Sequence, residues 1–440
     1  MADARSITHK RVLAIALPVV AANITVPILG AVDTGVVGQL GEAAPIGAVG
    51  IGAIVLTAIY WIFGFLRMGT VGLASQAIGA DNRPELAAIF TRALMIAFAG
   101  GVLLIVAQVP LFALAFQLAP ASAEVEALAR DYMSIRVWSA PAIIASYGVS
   151  GWLIAQERTR AVLVIQLVMN GMNILLDLAF VLGFGWGVQG VAFATFLSEW
   201  TGLALGLWFC RAAFRVPDWR DWERVFDRVK LTRMAKVNTD ILLRSLMLEV
   251  MIVSFMFWGA DFGDVTLAAN QVLLQFLHIT SYGLDGFAFG AETLVGQALG
   301  ARNRSRLRRA AILTSLWGGV IVAVLALAFA LGGGAIIDVM AKDPAVQMAA
   351  RDYLPWMVFA PLIGLAPWML DGIFIGATRT HDMRNMMFLS LIVYLVAAWA
   401  LTPIWGNHGL WAAYIISYLA RGVSLGTRYP ALEREADAAP

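Results

Sequence analysis

Apolar residues run through this chain in long unbroken stretches, not in alternation with polar ones. Twelve such stretches stand near residues 12–38, 46–78, 93–118, 127–155, 161–185, 188–210, 237–259, 265–299, 310–332, 346–377, 385–405 and 409–427. Each is long enough for a helix to cross about 30 Å of hydrocarbon, which takes roughly 20 residues. A strand-built barrel would show short segments alternating with period two. The pattern therefore predicts an all-α, polytopic membrane protein with twelve transmembrane helices.

Polar residues interrupt these runs at helical spacing. In the fifth span Asn173 and Asp177 stand at i and i+4, and in the sixth Thr195 and Glu199 do the same, so each pair shares one helical face. A third acid, Asp33, sits deep in the first span. Ionisable groups within hydrocarbon are costly unless they face a cavity or a partner. Such a set of carboxylate, amide and hydroxyl oxygens suits a proton, and it suits a small hard cation such as Na⁺ equally well. The plainer alternative is that the asparagine and threonine only bond helix to helix.

The eighth span carries a longer pattern. Gln271, Gln275, His278, Tyr282, Asp285, Phe289 and Glu292 recur at steps of 4, 3, 4, 3, 4 and 3, one continuous stripe at helical period. At 1.5 Å per residue the stripe extends over ~31 Å, the hydrocarbon thickness. Buried packing would require a partner for every polar group; lining a hydrated substrate cavity is the simpler expectation. Glu249 and Asp371 are further intramembrane acids that join that cavity or stay in the packing. Asp240 and Arg244, at i and i+4 in the seventh span, are expected to pair with each other. Pro18 and Pro27 in the first span, and Pro355, Pro361 and Pro367 in the tenth, are positioned to kink those helices and act as hinges.

Composition agrees with a membrane protein: 60% of the 440 residues are hydrophobic and 14% charged, where a soluble domain has about a quarter charged. Basic residues gather at every second connection, from Arg5, Lys10 and Arg11 through Arg83, Arg158, Arg160 and the Arg302–Arg309 group to Arg428 and Arg434. By the positive-inside rule both termini are cytoplasmic. The N-terminal run continues well past a cleavage-like Val20-Ala21-Ala22, so it reads as a first span and not as a signal peptide. The single cysteine, Cys210, excludes an intramolecular disulfide and offers no metal set.

The chain also repeats itself. "LASQAIGADNRPEL" (73–86) aligns with "LVGQALGARNRSRL" (294–307), matching Gln76 with Gln297, Gly79 with Gly300 and Asn82 with Asn303, each 221 residues apart. The same offset relates Arg130–Tyr132 to Arg351–Tyr353 and Gly151 to Gly372. One offset held over about 80 residues marks a duplication. The expected organisation is a six-helix lobe at 1–210, a cytoplasmic linker at 211–236, and a second six-helix lobe with a short tail at 237–440. Trp219 and Trp222 in the linker suit a helix lying at the cytoplasmic surface. An even span count per copy gives parallel, pseudo-symmetric lobes, with a site expected where the repeats meet.

These features together resemble the multidrug and toxic compound extrusion (MATE) family and, within it, the DNA-damage-inducible protein F (DinF) subgroup. The resemblance rests on "PILGAVDTGVVGQLG" in span one, "NILLDLAFVLGFGWGVQGVAFAT" across spans five and six, and "LDGFAFGAETLVGQALGARN" in span eight, and it extends over nearly the whole chain. It implies cation-coupled antiport, by alternating access, of drug-like and often cationic or aromatic compounds out of the cytoplasm. It places the coupling aspartate on Asp33, its partners on Asn173, Asp177 and Thr195, and the first-helix proline on Pro18. Members of this subgroup are taken as proton-coupled, so H⁺ is the expected ion, with Na⁺ as the other ion that fits the same oxygens. No cofactor is expected, and no partner beyond xenobiotic substrates and the bilayer: no nucleic acid and no second subunit. The inner membrane is the expected location.

Other classes fit less well. A lipid or lipid-linked oligosaccharide flippase of a related two-lobe plan should carry a basic centre for pyrophosphate, whereas this chain places acids there. An intramembrane enzyme would need a Ser/His pair, an HExxH motif or paired catalytic aspartates in a scissile-bond context, and none is found. A retinal protein needs a lysine within a span, and Lys10, Lys230, Lys236 and Lys342 all lie at ends or in loops.

Overall fold

The computed structural model describes residues 6–39, 41–118 and 121–437; Arg5, counted above among the N-terminal basic residues, lies outside them. Twelve long helices follow in order: α1 (His9–Gly38), α2 (Ala43–Gly79), α3 (Arg83–Val106), α4 (Ala123–Ala155), α5 (Thr159–Gly183), α6 (Gly187–Phe209), α7 (Arg228–Ala260), α8 (Asp264–Gly300), α9 (Arg304–Met340), α10 (Pro344–Gly376), α11 (Thr380–Trp405) and α12 (Asn407–Glu435). No strand occurs among the described residues. Ten of the twelve are long and apolar enough to cross a membrane by composition alone. The other two, α8 and α12, are 37 and 29 residues long. Their polar and charged residues, not their length, set them apart.

Three helices change winding along their length. A 3₁₀ turn at Ile62–Gly64 interrupts α2, another at Val137–Ser139 interrupts α4, and α5 ends in a π-helical stretch, Leu178–Gly183. The third expected span is divided, α3 being followed by a shorter helix at Gln108–Leu118.

The duplication is written into the backbone. Asn82 and Asn303 both cap the helix that follows, accepting from Glu85 N (3.1 Å) and Arg306 N (2.9 Å). The residues before them, Asp81 and Arg302, take φ of 54° and 52°, and a second equivalent pair, Glu157 and Thr378, takes 61° and 53°. Non-glycine residues rarely adopt that region, so its recurrence at one offset reflects a copied turn. Helix crossings are copied too. A Cβ on Gly151 would meet Arg67 O of α2 at 2.5 Å, and a Cβ on Gly372 would meet Ala288 O of α8 at 2.7 Å. Arg67 and Ala288 are again 221 apart.

Packing divides the chain into two compact units, cut differently from the lobes expected at 1–210 and 237–440. One contains Ala21–Ala74 and Asn82–Thr232. The other contains the residues up to Val20, Ser75–Asp81, and Arg233 onward. The first half of α1 belongs to this second unit because Gly286 of α8 lets it approach closely: a Cβ there would stand 2.5 Å from Ala16 O. Arg309 Nε donates to Ile7 O at 2.6 Å and Arg11 to Gln297 Oε1 at 2.9 Å, fastening the same segment. α1 runs through Pro18 and Pro27 as one helix, and the two units divide it between Val20 and Ala21.

The linker is not the single surface helix that its tryptophans suggested. It forms 3₁₀ turns at Ala213–Arg215 and Pro217–Arg220 and one α-turn at Trp222–Val225. Backbone carbonyls exposed by these turns are taken up by α3. Thr91 Oγ1 donates to Trp219 O (3.0 Å), and buried Arg92 donates to Val225 O (2.8 Å) and pairs with Glu85 (2.8 Å). Asp227 caps α7 by accepting from Lys230 N (3.0 Å), a bond that holds its carboxyl below the usual carboxylate range.

Candidate functional site

α5 brings a row of polar side chains against the second half of α1. Gln166, Asn170, Asn173 and Asp177 follow at steps of 4, 3 and 4. At one end of this row Gln166 Nε2 donates to Asn170 Oδ1 (3.0 Å) and Asn170 Nδ2 donates to Thr25 Oγ1 (2.8 Å). At the other end lie the two acids. Asp177 is fully buried and Asp33 of α1 is half-buried.

Asn173 sits between them and is itself buried. In the orientation that satisfies both ends of its amide, the nitrogen donates to Asp33 Oδ1 (3.0 Å) and Asp177 Oδ2 (3.2 Å). Its oxygen accepts from Thr195 Oγ1 (3.0 Å) and Thr195 N (3.3 Å). In that orientation the amide shows the acids its donor end. A proton shared between two carboxyls is compatible with that arrangement; a metal ion would call for the oxygen end, since hard cations take oxygen ligands. No group of three or more His, Cys, Asp or Glu side chains with metal-binding geometry occurs among the described residues. Directly after Asp177 the helix widens into its π-stretch, a feature frequent at functional sites. Asp177 Oδ1 is buried with no hydrogen-bond partner.

Glu199, expected alongside Thr195, is engaged elsewhere. It is buried and pairs with Arg136 of α4 (Nη2–Oε1 2.7 Å). Arg136 is the residue that sequence reasoning missed. Its Nη1 donates to Tyr132 Oη (2.6 Å), and its carbonyl accepts from Tyr60 Oη (3.0 Å) and Ser139 Oγ (2.8 Å). An arginine six residues after Arg130, inside the fourth span, was the available signal; Asn170 was signalled only by the α5 spacing, and Thr25 by no pattern in the sequence.

In the other unit the stripe of α8 grades from open to buried. Gln271, Gln275 and His278 are exposed, Tyr282, Asp285 and Phe289 half-buried, and Glu292 buried. The positions between them, including Leu273, Leu277, Leu284 and Phe287, pack inward. Glu249 is exposed on α7. Asp371 is not open: its Oδ2 is bonded by both Arg244 of α7 and Arg421 of α12, all three buried. The expected Asp240–Arg244 pair does not form. Asp240 instead pairs with Arg384 (2.5 Å) and accepts from Thr380 Oγ1 (3.1 Å). Asp240 turns to Thr380 and Arg384 of α11 and Arg244 to Asp371 of α10, so i,i+4 proximity does not decide the pairing.

Comparison with known proteins gives consistent matches. The MatE family model matches residues 18–179 and 241–400. The chain is 37% identical over 415 residues to the DNA damage-inducible protein F of Escherichia coli, covering 93% of this chain and 90% of that protein. It is 26% identical to the probable multidrug resistance protein NorM of Xanthomonas campestris, covering 97% and 95%. Among solved structures, the Vibrio cholerae MATE transporter VcmN in its bent form superposes with a TM-score of 0.87 at 18% identity, covering 98% of both chains. A MOP superfamily transporter from Pyrococcus furiosus gives 0.84 at 17% identity, covering 98% and 97%. The shared fold is twelve helices in two six-helix lobes.

Proposed function

The chain belongs to the MatE family of multidrug efflux transporters, and from that premise we propose that it is a proton-coupled antiporter exporting drug-like organic cations from the cytoplasm. The observation that carries the reading is the Asp33–Asn173–Asp177 contact. Two carboxyl groups bridged by one amide nitrogen can hold one proton between them, and a second makes the pair neutral. Loading and unloading that second proton changes the charge of a buried site, which is costly in hydrocarbon and so favours different helix arrangements in the two states. Asp33 is carried on α1, whose earlier half packs in the other unit, so a shift of α1 is the step this reading assigns to proton uptake. Pro18 and Pro27 lie on either side of the division within that helix and serve as its hinges.

Cationic cargo is supported by the half-buried Asp285 and the aromatic Tyr282 and Phe289 on one face of α8. Both termini are assigned to the cytoplasm on the distribution of Lys and Arg, and the cell inner membrane follows as the site of action. The test is efflux of a fluorescent organic cation from inverted vesicles, with pH and Na⁺ gradients imposed separately. Transport driven by the pH gradient alone supports the reading; transport indifferent to it overturns the reading.

A further inference from the structure

In the unit that holds Arg233 onward, α7 and α11 meet at a polar knot and enclose a groove beside it. Asp240 of α7 accepts from Arg384 Nη1 (2.5 Å) and Thr380 Oγ1 (3.1 Å) of α11. From there a groove of about 400 Å³ runs between the two helices. Leu243, Leu246, Met247 and Val250 of α7 and Phe388 of α11 form its walls, and Arg384 and Asn385 stand at its polar end. Leu243 and Val250 are seven residues apart, so the apolar part extends ~10 Å along the helix axis. Both helices are long and apolar enough to cross the membrane, yet only 22% and 28% of their apolar stretches are buried. Leu246, Val250 and Phe388 are 41%, 52% and 56% exposed, at a depth where hydrocarbon replaces water.

The polar end is positive. Arg384 gives Nε and Nη2 to Asn385 Oδ1 (3.1 and 2.9 Å) and Nη1 to Asp240, and each terminal nitrogen carries a second N–H. Buried Asp240 offsets its charge. Lys236 stands one turn earlier on α7. Lys236, Thr239, Leu243, Leu246 and Val250 follow at steps of 3, 4, 3 and 4, all exposed and on one helical face. Lys236 therefore adds a positive charge at the mouth of the groove. Of the acids close in sequence, Asp382 is buried and pairs with Arg379 (2.9 Å), and Glu249 does not line the groove. A phospholipid has the matching layout, with phosphate oxygens at the interface and hydrocarbon running inward; those oxygens accept from ammonium and guanidinium donors. An organic cation would meet the positive end unfavourably. We propose that this groove binds an anionic phospholipid of the cytoplasmic leaflet, its phosphate held by Lys236 and Arg384 and one acyl chain laid along Leu243–Val250. The leaflet follows from the distribution of Lys and Arg; the site does not depend on how transport is coupled.

The experiment places a bimane label on the full chain through Ile392→Cys in a Cys210→Ala background. Ile392 is 42% exposed, one turn beyond Phe388 on α11. The protein is reconstituted into bilayers in which either phosphatidylglycerol or phosphatidylethanolamine carries a nitroxide on its acyl chain, and quenching of the label reports which lipid occupies the groove. Phosphatidylglycerol should reach half-maximal quenching at about a fivefold lower mole fraction, the preference expected from one basic side chain beside an anionic headgroup. A label introduced by Leu316→Cys on α9, 52% exposed, should be quenched equally by both lipids. Lys236→Glu should abolish the preference at Ile392, and Lys236→Gln makes the same comparison if the charge reversal does not insert. Val250→Trp fills the groove and should weaken quenching by phosphatidylglycerol at least threefold. Equal quenching by the two lipids at Ile392, or the same preference at Leu316, overturns the proposal, because the groove then recognises no headgroup. A preference that survives the Lys236 substitutions, or quenching unchanged by Val250→Trp, overturns it by placing the lipid elsewhere. No quenching by either lipid overturns it by removing the groove from the bilayer.

Discussion

Asp177 and Asp371 are both buried acids in the interior of membrane helices, yet they keep opposite company. Asp371 gives one oxygen to two guanidinium groups, those of Arg244 and Arg421. Asp177 shares the amide of Asn173 with another acid, Asp33. A carboxylate held by two arginines has its charge compensated permanently, and protonating it would strand two buried cations. A carboxyl bridged to another carboxyl through one amide can exchange a proton at small structural cost. The identity of the residue is the same in both places, and the partners decide whether it is a fixture or a switch.

The sharpest way to break this contrast is at Asp33. Asp33→Asn mimics the protonated acid and removes a charge from the membrane, so the protein should insert and keep its melting temperature. Proton-driven efflux should fall to the level of empty vesicles, and substrate-induced proton release by the purified protein should vanish. Undiminished proton-driven efflux would make the pair structural.

Asp371→Asn should do the reverse. Two guanidinium groups would be left buried without their counter-charge, a loss of about 3–5 kcal/mol when one partner of a buried ion pair is removed. Thermal melting in detergent should drop sharply, while whatever protein survives should remain driven by the pH gradient. A stable but uncoupled Asp371→Asn protein would move the switch to the other unit.

The two halves can also be compared at their copied helix crossings. Gly151→Ala and Gly372→Ala each push a methyl against a backbone oxygen, at 2.5 and 2.7 Å in the present packing. Backbone cannot rotate away as a side chain can, so each should lower stability by about 1–3 kcal/mol, the usual cost of overpacking. Similar losses in melting temperature would confirm that the crossings are equivalent; a loss at one alone would show that the halves have diverged in packing as well as in charge.

Much of this arrangement is legible in the sequence because it is local or periodic. The spans follow from unbroken apolar runs, the duplication from one constant offset, and the Asn173–Asp177 face from i,i+4 spacing. The parts that were not legible are those in which partners are brought together across the chain. Glu199 stands 63 residues from Arg136, and Asp371 stands 127 and 50 residues from its arginines. No spacing rule links such positions, and the one local rule available, applied to Asp240 and Arg244, paired the wrong groups. The reassignment of the first half of α1 was hidden for a related reason: it depends on the absence of a side chain at Gly286, which shows its meaning only once Ala16 is seen against it.

The smallest expected effect concerns how firmly Asn173 is held. Thr195 donates its hydroxyl proton once, yet two oxygens stand within reach: Val191 O on its own helix and Asn173 Oδ1, both at 3.0 Å. Donation to Asn173, with the Thr195 N–H adding a longer bond at 3.3 Å, is what points the amide nitrogen toward the acids. Thr195→Val preserves shape and removes the hydroxyl, leaving only the backbone donor to orient the amide. A neutral hydrogen bond contributes about 0.5–1.5 kcal/mol net, so the proton-coupled rate should fall by about two- to tenfold and not vanish. Insertion and melting temperature should change little, because the replaced group is half-buried and the packing volume is kept. Asn173→Asp in the same assay would replace the donor by a third acid and should cost far more. If Thr195→Val abolished coupling as completely as Asp33→Asn, the hydroxyl would have to contact the transported ion directly instead of orienting the amide between the acids.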